Sequence, residues 1–194
     1  MRTFDAIRRI TYSIMFPRDI LFCKYVGLNW DPTWRFYGLP KVQKKIGTNI
    51  IVGKHFTLVS DMRYNSIGVF QPVILKTTGT NARIVIGNNV GMSGCTVSAN
   101  RLIQIGNNVM IGSGCLITDN DAHPIHPCDR EFPERLGVAE VVIEDDAFLG
   151  ARVIVLKGVI IGKGSVIGAG SVVVHDIPSM VIAAGNPATV IREL

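Results

Sequence analysis

The chain has 194 residues, of which 47% are hydrophobic and 18% charged, with 20 glycines and 9 prolines. That length and balance suit one main folded domain and exclude a disordered chain. The net charge of +5 attracts phosphates, nucleic acid or an anionic surface without choosing among them. The four cysteines form no Cys-x-x-Cys pair, which argues against a disulfide framework or zinc finger and makes a reducing cytoplasm the simplest home.

Residues 1–45 are basic and aromatic and have no clear period. Phe4, Ile7, Ile10 and Ile14 align on one face of a short helix over 3–15, which Pro17 would disrupt. Arg18, Asp19 and Lys24 break the apolar stretch that follows, so it is not read as a membrane span, and no secretory signal is seen. Trp30, Trp34, Phe36 and Tyr37 come next, near Pro32 and Pro40. This segment is expected to cap one end of the main body. Weak contact with a membrane surface is the alternative.

From residue 86 the chain reads in sixes: IGNNVG, MSGCTV, SANRLI, then IGNNVM and IGSGCL after Gln104. The pattern resumes as IEDDAF, LGARVI, VLKGVI, IGKGSV, IGAGSV and VVHDIP. The leading positions are Ile86, Met92, Ser98, Ile105, Ile111, Ile117, Ile143, Leu149, Val155, Ile161, Ile167 and Val173, and only Ser98 is polar. A helix repeats every 3.6 residues and a strand every two, so neither explains a period of six. Short strands joined by corners do, each six forming one side of a triangular coil whose leading residue points inward. One coil cannot bury its own interior, but stacked coils share a continuous core. The expected fold class is all-β, a left-handed parallel β-helix over 46–177. Ile46, Val52 and Leu58 keep the spacing in less regular early coils, and Val73 to Leu75 reads as a further strand.

A stretch rich in proline and polar residues, DNDAHPIHPCDREFPERLG, interrupts the repeat and predicts a loop ejected from one corner at about 119–141. Such loops on rigid scaffolds commonly carry function. Residues 178–194 abandon the period and are read as a C-terminal cap. Of the four histidines, His123 stands where regular packing ends, beside Thr118, Asp119, Asn120 and Asp121, which are placed to orient it. An imidazole suits proton transfer near neutrality. His126 is the local competitor. No third histidine is placed to complete a metal site, so no metal is expected. No nucleic-acid module is recognisable.

Three blocks carry a family resemblance: IGNNVGMSGCTV at 86–97, IGNNVMIGSGCLITDNDAHP at 105–124, and IGKGSVIGAGSVVVHDIPSMVIAAGNPATVIREL at 161–194. Over 46–194 the chain resembles the hexapeptide-repeat acyltransferases, especially bacterial sugar O-acetyltransferases of polysaccharide or nodulation-factor modification. The stretch YNSIGVFQPVILKT at 64–77 looks like a capsular-polysaccharide branch.

The resemblance implies a homotrimer that transfers an acetyl group from acetyl-CoA, as cosubstrate, to a saccharide hydroxyl, with His123 as general base. On the acceptor side Asp119, Asp121 and His126 are candidates from their place in the loop, and Arg130 fits a later basic position of the family's loop, whereas His126 stands where relatives often have an aspartate. Some relatives have an asparagine in the preceding coil, where this chain has Val90-Gly91-Met92-Ser93 and Ser93 is the nearest polar substitute. For coenzyme A it implies Gly150, Ala151, Gly168 and Ala169 along the pantetheine arm and Lys157, Lys163 and Arg192 near the phosphates. An N-acyltransferase of an amino sugar and a noncatalytic β-helical scaffold remain the rival readings.

Overall fold

The computed structural model describes residues 17–194; the helix expected over 3–15 lies outside them. The described chain begins with a helix over 17–26, which the periodicity did not single out. Its inward face carries Asp19 and Cys23, four residues apart. The Arg18 guanidinium donates to Asp19 Oδ1 at 2.9 and 2.7 Å, so a carboxylate can sit against the core. Among the described residues no helix is long and apolar enough to cross a membrane.

The body has three sheets of eight, six and five strands, paired in parallel apart from one terminal hairpin. Up to that hairpin, successive strands belong to different sheets, and each pairs with the strand one coil away. This is the hexapeptide-repeat order of a left-handed parallel β-helix. Three ladders fill the prism. Phe36, Leu58, Met92, Ile111, Leu149, Ile167 and Ala183 stack along the first sheet. Val42, Leu75, Val97, Ile117, Val155 and Val173 stack along the second. Val52, Ile86, Ile105, Ile143 and Ile161 stack along the third. Nearly all of these side chains are buried, so the six-residue period is the burial pattern itself.

The turns between sides need left-handed backbone. At the corner between the first and second sheets, Gly114 (φ +73°) and Gly170 (φ +75°) supply it, and between them stands Arg152 (φ +59°), a non-glycine residue in a conformation that disfavours a side chain. At the corner between the third and first sheets, Asn89, Asn108 and Asp146 take the same conformation, and their side chains bond up the stack.

The regular register differs from the sixes in one coil. Ser98 points outward, while its neighbours Val97 and Ala99 are buried. Val97 follows Met92 by five positions rather than six, and the next inward position, Ile105, lies eight further on, across a longer corner at Asn100 and Arg101. Ile46 holds no ladder position; it is 99% exposed in the turn before Asn49–Val52. Pairing begins earlier than residue 46, because Arg35–Tyr37 and Lys41–Lys44 already form two sides of the first coil. Trp34, Phe36 and Phe56 pack together there, with Trp34 at 5.9 Å from each of the other two rings, while the Trp34 indole N–H donates to Gly53 O at 2.7 Å.

Two segments leave the prism. The expected one departs after Leu116–Thr118 and returns at Val141–Ile143. The second, residues 60–73, was not anticipated; it leaves after Thr57–Val59 and returns at Ile74–Thr77. At the far end Val181–Gly185 extends the first sheet, and Ala188–Glu193 folds back on it antiparallel.

Candidate active site

The loop carrying His123 has a rigid base. Asp119 is completely buried, and its carboxylate accepts the backbone N–H groups of Asn100, Arg101 and Leu102 at 2.6, 2.6 and 2.9 Å, together with the Asn120 amide at 3.0 Å. It ties the loop to the corner of the previous coil. The strand-like contact of Asn120 with Val138, and Ala139 N–H donating to Asp119 O at 2.9 Å, close the loop. Ala122 adopts φ +62°, and His123 N–H then donates to Asp121 O at 2.7 Å. This tight turn leaves the His123 side chain exposed while Pro124 is buried behind it.

Asp119 and Asp121 were expected to face the acceptor. Both are already engaged. Lys157 Nζ lies 2.6 Å from Asp121 Oδ1, and both side chains are partly buried. An expected acceptor contact and an expected phosphate contact are thus partners of each other. His126 caps the short helix Pro127–Asp129, its Nδ1 accepting Cys128 N–H at 3.3 Å. Arg130 ends the same turn, exposed. Beyond it Arg135 pairs with Asp129 and stacks over Phe132 at 4.8 Å, giving the loop packing of its own.

The groups expected around coenzyme A fall on three corners. Gly150, Ala151, Gly168 and Ala169 share the corner between the first and second sheets. Coils approach closely there: a Cβ on Gly150 would lie 2.7 Å from Ala169 N, and one on Gly112 would lie 2.6 Å from Ala151 N. Lys163 sits at the corner between the third and first sheets, where its N–H donates to Glu144 at 2.7 Å, and it lines a shallow groove of ≈ 340 Å³ with Gln104, Gly106 and Val142. Lys157 lies on the corner of the His123 loop. Arg192 is exposed on the terminal hairpin, with its guanidinium on Glu193 O at 2.8 Å. Ser93 ends a strand of the first sheet, next to the corner of Gly150 and Ala151.

Three cysteines are unsuited to nucleophilic work. Burial pushes the Cys115 thiol up to about 11 and that of Cys23 to about 12, and raises Cys95 further. Cys115 instead directs its thiol at Gly150 O, 3.1 Å away.

The 60–73 strap is the part of this surface that the sequence reading missed. It runs along the corner between the first and second sheets. Gln71 Nε2 donates to Gly94 O at 3.2 Å and Thr96 Oγ1 at 2.9 Å, Ser113 Oγ donates to Gly68 O, and the Arg152 guanidinium stands over the Phe70 ring at 5.3 Å. The only available signal was the apolar, glycine-containing stretch SIGVF, which fits no six-residue frame.

Stacked six-residue coils with an ejected loop define a hexapeptide-repeat β-helix. Accordingly, the family described as "Bacterial transferase hexapeptide (six repeats)" matches residues 140–175. The galactoside O-acetyltransferase of Escherichia coli (strain K12) is 34% identical over 147 residues, 74% of this chain and 70% of that protein. The polysialic acid O-acetyltransferase of Escherichia coli O1:K1 / APEC is 38% identical over 120 residues, 61% of this chain and 38% of that protein. The crystal structure of a maltose O-acetyltransferase from Clostridium difficile 630 superposes with a TM-score of 0.52 at 28% identity, covering 82% of this chain and 70% of that one. The chain belongs to the hexapeptide-repeat acyltransferases and is related to the bacterial sugar O-acetyltransferases. It spans between 38% and 54% of three curated relatives matched over shorter stretches.

Proposed function

We propose that the chain moves an acetyl group from acetyl-CoA to a hydroxyl of a saccharide, with His123 as general base. The observation that carries this reading is the exposed imidazole on a loop whose base is pinned by buried Asp119. A neutral imidazole held there can accept the hydroxyl proton as the oxygen adds to the thioester carbonyl, and can return a proton to the departing thiolate. The relatives named above as O-acetyltransferases of galactoside, polysialic acid and maltose support the substrate class.

The working unit we propose is a closed homotrimer. His123 and the corner of Gly150, Ala151, Gly168 and Ala169 stand at opposite ends of one prism side, a span of about six residues at roughly 3.3 Å each. A neighbouring copy that presents its glycine corner to this histidine loop completes a cleft that one chain leaves divided. Coenzyme A would lie along that corner, where exposed Ala169 and the close backbone packing leave a low wall for an extended arm. The four free cysteines suit a reducing cytoplasm. A weak membrane-surface contact would use exposed Leu21 and Tyr25 beside Lys24, and co-sedimentation with anionic vesicles tests it.

The test is thiol release from acetyl-CoA with a panel of saccharides and amino sugars, using the purified protein and His123→Asn. The variant should keep its assembly and its coenzyme A binding while turnover falls about 10²–10⁴-fold. Near-wild-type turnover by the folded variant across about pH 6–8 would remove His123 from the role. Transfer to amines alone would select N-acylation, and no transfer to any acceptor would favour a scaffold.

A further inference from the structure

We propose that Phe70, carried on the 60–73 strap and backed by Arg152, is a stacking platform for the acceptor's pyranose ring. The inference rests on the saccharide-transfer reading above and adds the residue that sets acceptor affinity.

Phe70 is 75% exposed, although the chain around it is firmly tied. The strap leaves the second coil and is held to the third by Gln71 on Gly94 and Thr96 and to the fourth by Ser113 on Gly68, and its Phe70 ring reaches Arg152 of the fifth. A Cβ on Gly68 would lie 3.4 Å from Phe70 Cζ, so the ring folds back over its own turn. The Arg152 guanidinium sits 5.3 Å from the ring centroid. A ring on a tied strap and backed by a guanidinium has less freedom to lose on binding than one on an untethered loop.

Arg152 is the second observation. It occupies a left-handed corner position that Gly114 and Gly170 fill in the coils on either side. A side chain in that conformation costs about 1–2 kcal/mol, so this chain carries a penalty that its neighbouring coils avoid. The side chain crosses Gly114, whose added Cβ would lie 3.5 Å from Arg152 Cγ, to reach the ring. The strain is compatible with a use for the guanidinium at that spot.

The location connects both halves of the proposed reaction. Gly94, gripped by the strap, follows Ser93 in the chain. Ser113, bonded to the strap, follows Gly112, which packs on Gly150 and Ala151. Phe70 therefore overlooks the corner shared by the nearest acceptor candidate and the proposed pantetheine wall. An aromatic face is electron-rich, and the C–H face of a pyranose is its natural complement, leaving the sugar hydroxyls free for chemistry. A cation on one side of the ring and solvent on the other suits a single sugar ring rather than an intercalated pair.

The experiment uses three full-length variants, Phe70→Ala, Phe70→Tyr and Arg152→Gly, with two readouts. Saturation-transfer NMR against methyl pyranosides and short oligosaccharides reports sugar binding without turnover. Steady-state kinetics with an accepted saccharide separate KM from kcat. Phe70→Ala should raise the acceptor KM about tenfold and abolish saturation of the sugar C–H protons, with kcat and the acetyl-CoA KM within about twofold. Phe70→Tyr should restore both. Arg152→Gly should weaken acceptor binding while leaving thermal stability unchanged or higher, which a merely structural role would not produce.

Unchanged acceptor KM in Phe70→Ala overturns the platform even if transfer is real. A raised acetyl-CoA KM assigns the ring to the acyl donor, and loss of the oligomer assigns it to a subunit contact; either overturns the proposal. Sugar binding that needs Phe70 in a protein without transferase activity keeps the platform and removes the transfer reading. Absence of sugar binding in the wild type rejects the platform.

Discussion

Replacing Asp119 separates a structural carboxylate from a substrate-binding one. Its oxygens receive three backbone N–H groups and one side-chain amide in a fully buried site. Hydrogen bonds to a charged group contribute about 1.5–3 kcal/mol each, and a buried donor left unpaired costs about 1–3 kcal/mol. Simple addition over three donors overshoots, because the corner can relax and admit water. Asp119→Ala should therefore destabilise the fold by about 3–5 kcal/mol, a large part of the ~5–15 kcal/mol typical of a domain. For a chain of this size that corresponds to a fall in Tm of roughly 6–20 °C. Asp119→Asn retains one carbonyl oxygen but turns an amide N–H toward other donors, so about 1–3 kcal/mol is expected. Circular dichroism melts of the two variants, with steady-state kinetics on whatever remains folded, decide the matter. Lost stability and lost kcat through a displaced His123 are expected. An Asp119→Ala protein with wild-type Tm and a raised acceptor KM would refute that expectation and return this residue to the acceptor site.

The Asp121–Lys157 pair should show a coupling of about 1 kcal/mol in a double-mutant cycle of Asp121→Asn and Lys157→Met, since both side chains are only partly buried. If Lys157 served the coenzyme instead, Lys157→Met would raise the acetyl-CoA KM and the cycle would be additive. Gly112→Ala should cost more than about 2 kcal/mol, because the new Cβ would lie 2.6 Å from the backbone of the next coil. Ile46→Ser, at a fully exposed position, should stay within about 0.5 kcal/mol in denaturant titrations. The buried thiols have a pH signature. The folded-state values of Cys23 and Cys115, about 12 and about 11, lie above the 9.0 of a free thiol, so the unfolded chain ionises first. Their contribution is intact below about pH 9 and declines above it, by about 1.4 kcal/mol per pH unit for each thiol, and Cys115→Ser should flatten the decline. In the native protein a maleimide should label exposed Cys128 alone among these four.

The ladders were legible because burial imposes them. Ile105, Ile143 and Ile161 recur in the sequence for the same reason that they stack in the prism. The ejected loop was legible from its prolines and lost period. Ser98 was misread because a five-residue step followed by an eight-residue one across a longer corner shifts the inward position, which spacing alone does not reveal. Asp119, Asp121 and Lys157 all stood out in the sequence, but their partners within the chain did not. A carboxylate near a candidate base reads as catalytic in a linear sequence, whereas its acceptance of N–H groups from the previous coil appears only when the coils are stacked. The strap was invisible for a similar reason. Phe70 and Arg152 are far apart along the chain, and only the corner brings them together.

The stacked register also makes the molecule's length come in whole steps. Leu149 faces Ile167 and Ile143 faces Ile161, eighteen residues on in each case. An insertion of one full turn would leave every later isoleucine pointing inward, whereas an insertion of one residue within a side would turn the remainder of that strand inside out. Corners are exempt, since the chain departs at 60 and at 119 and rejoins in phase both times. New surface can therefore be grown at an edge without disturbing the storeys above it. Each storey adds about 4.8 Å of height, so a strap that leaves the second and touches the fifth spans roughly 14 Å. Its residue count, more than its composition, decides which floor it can serve.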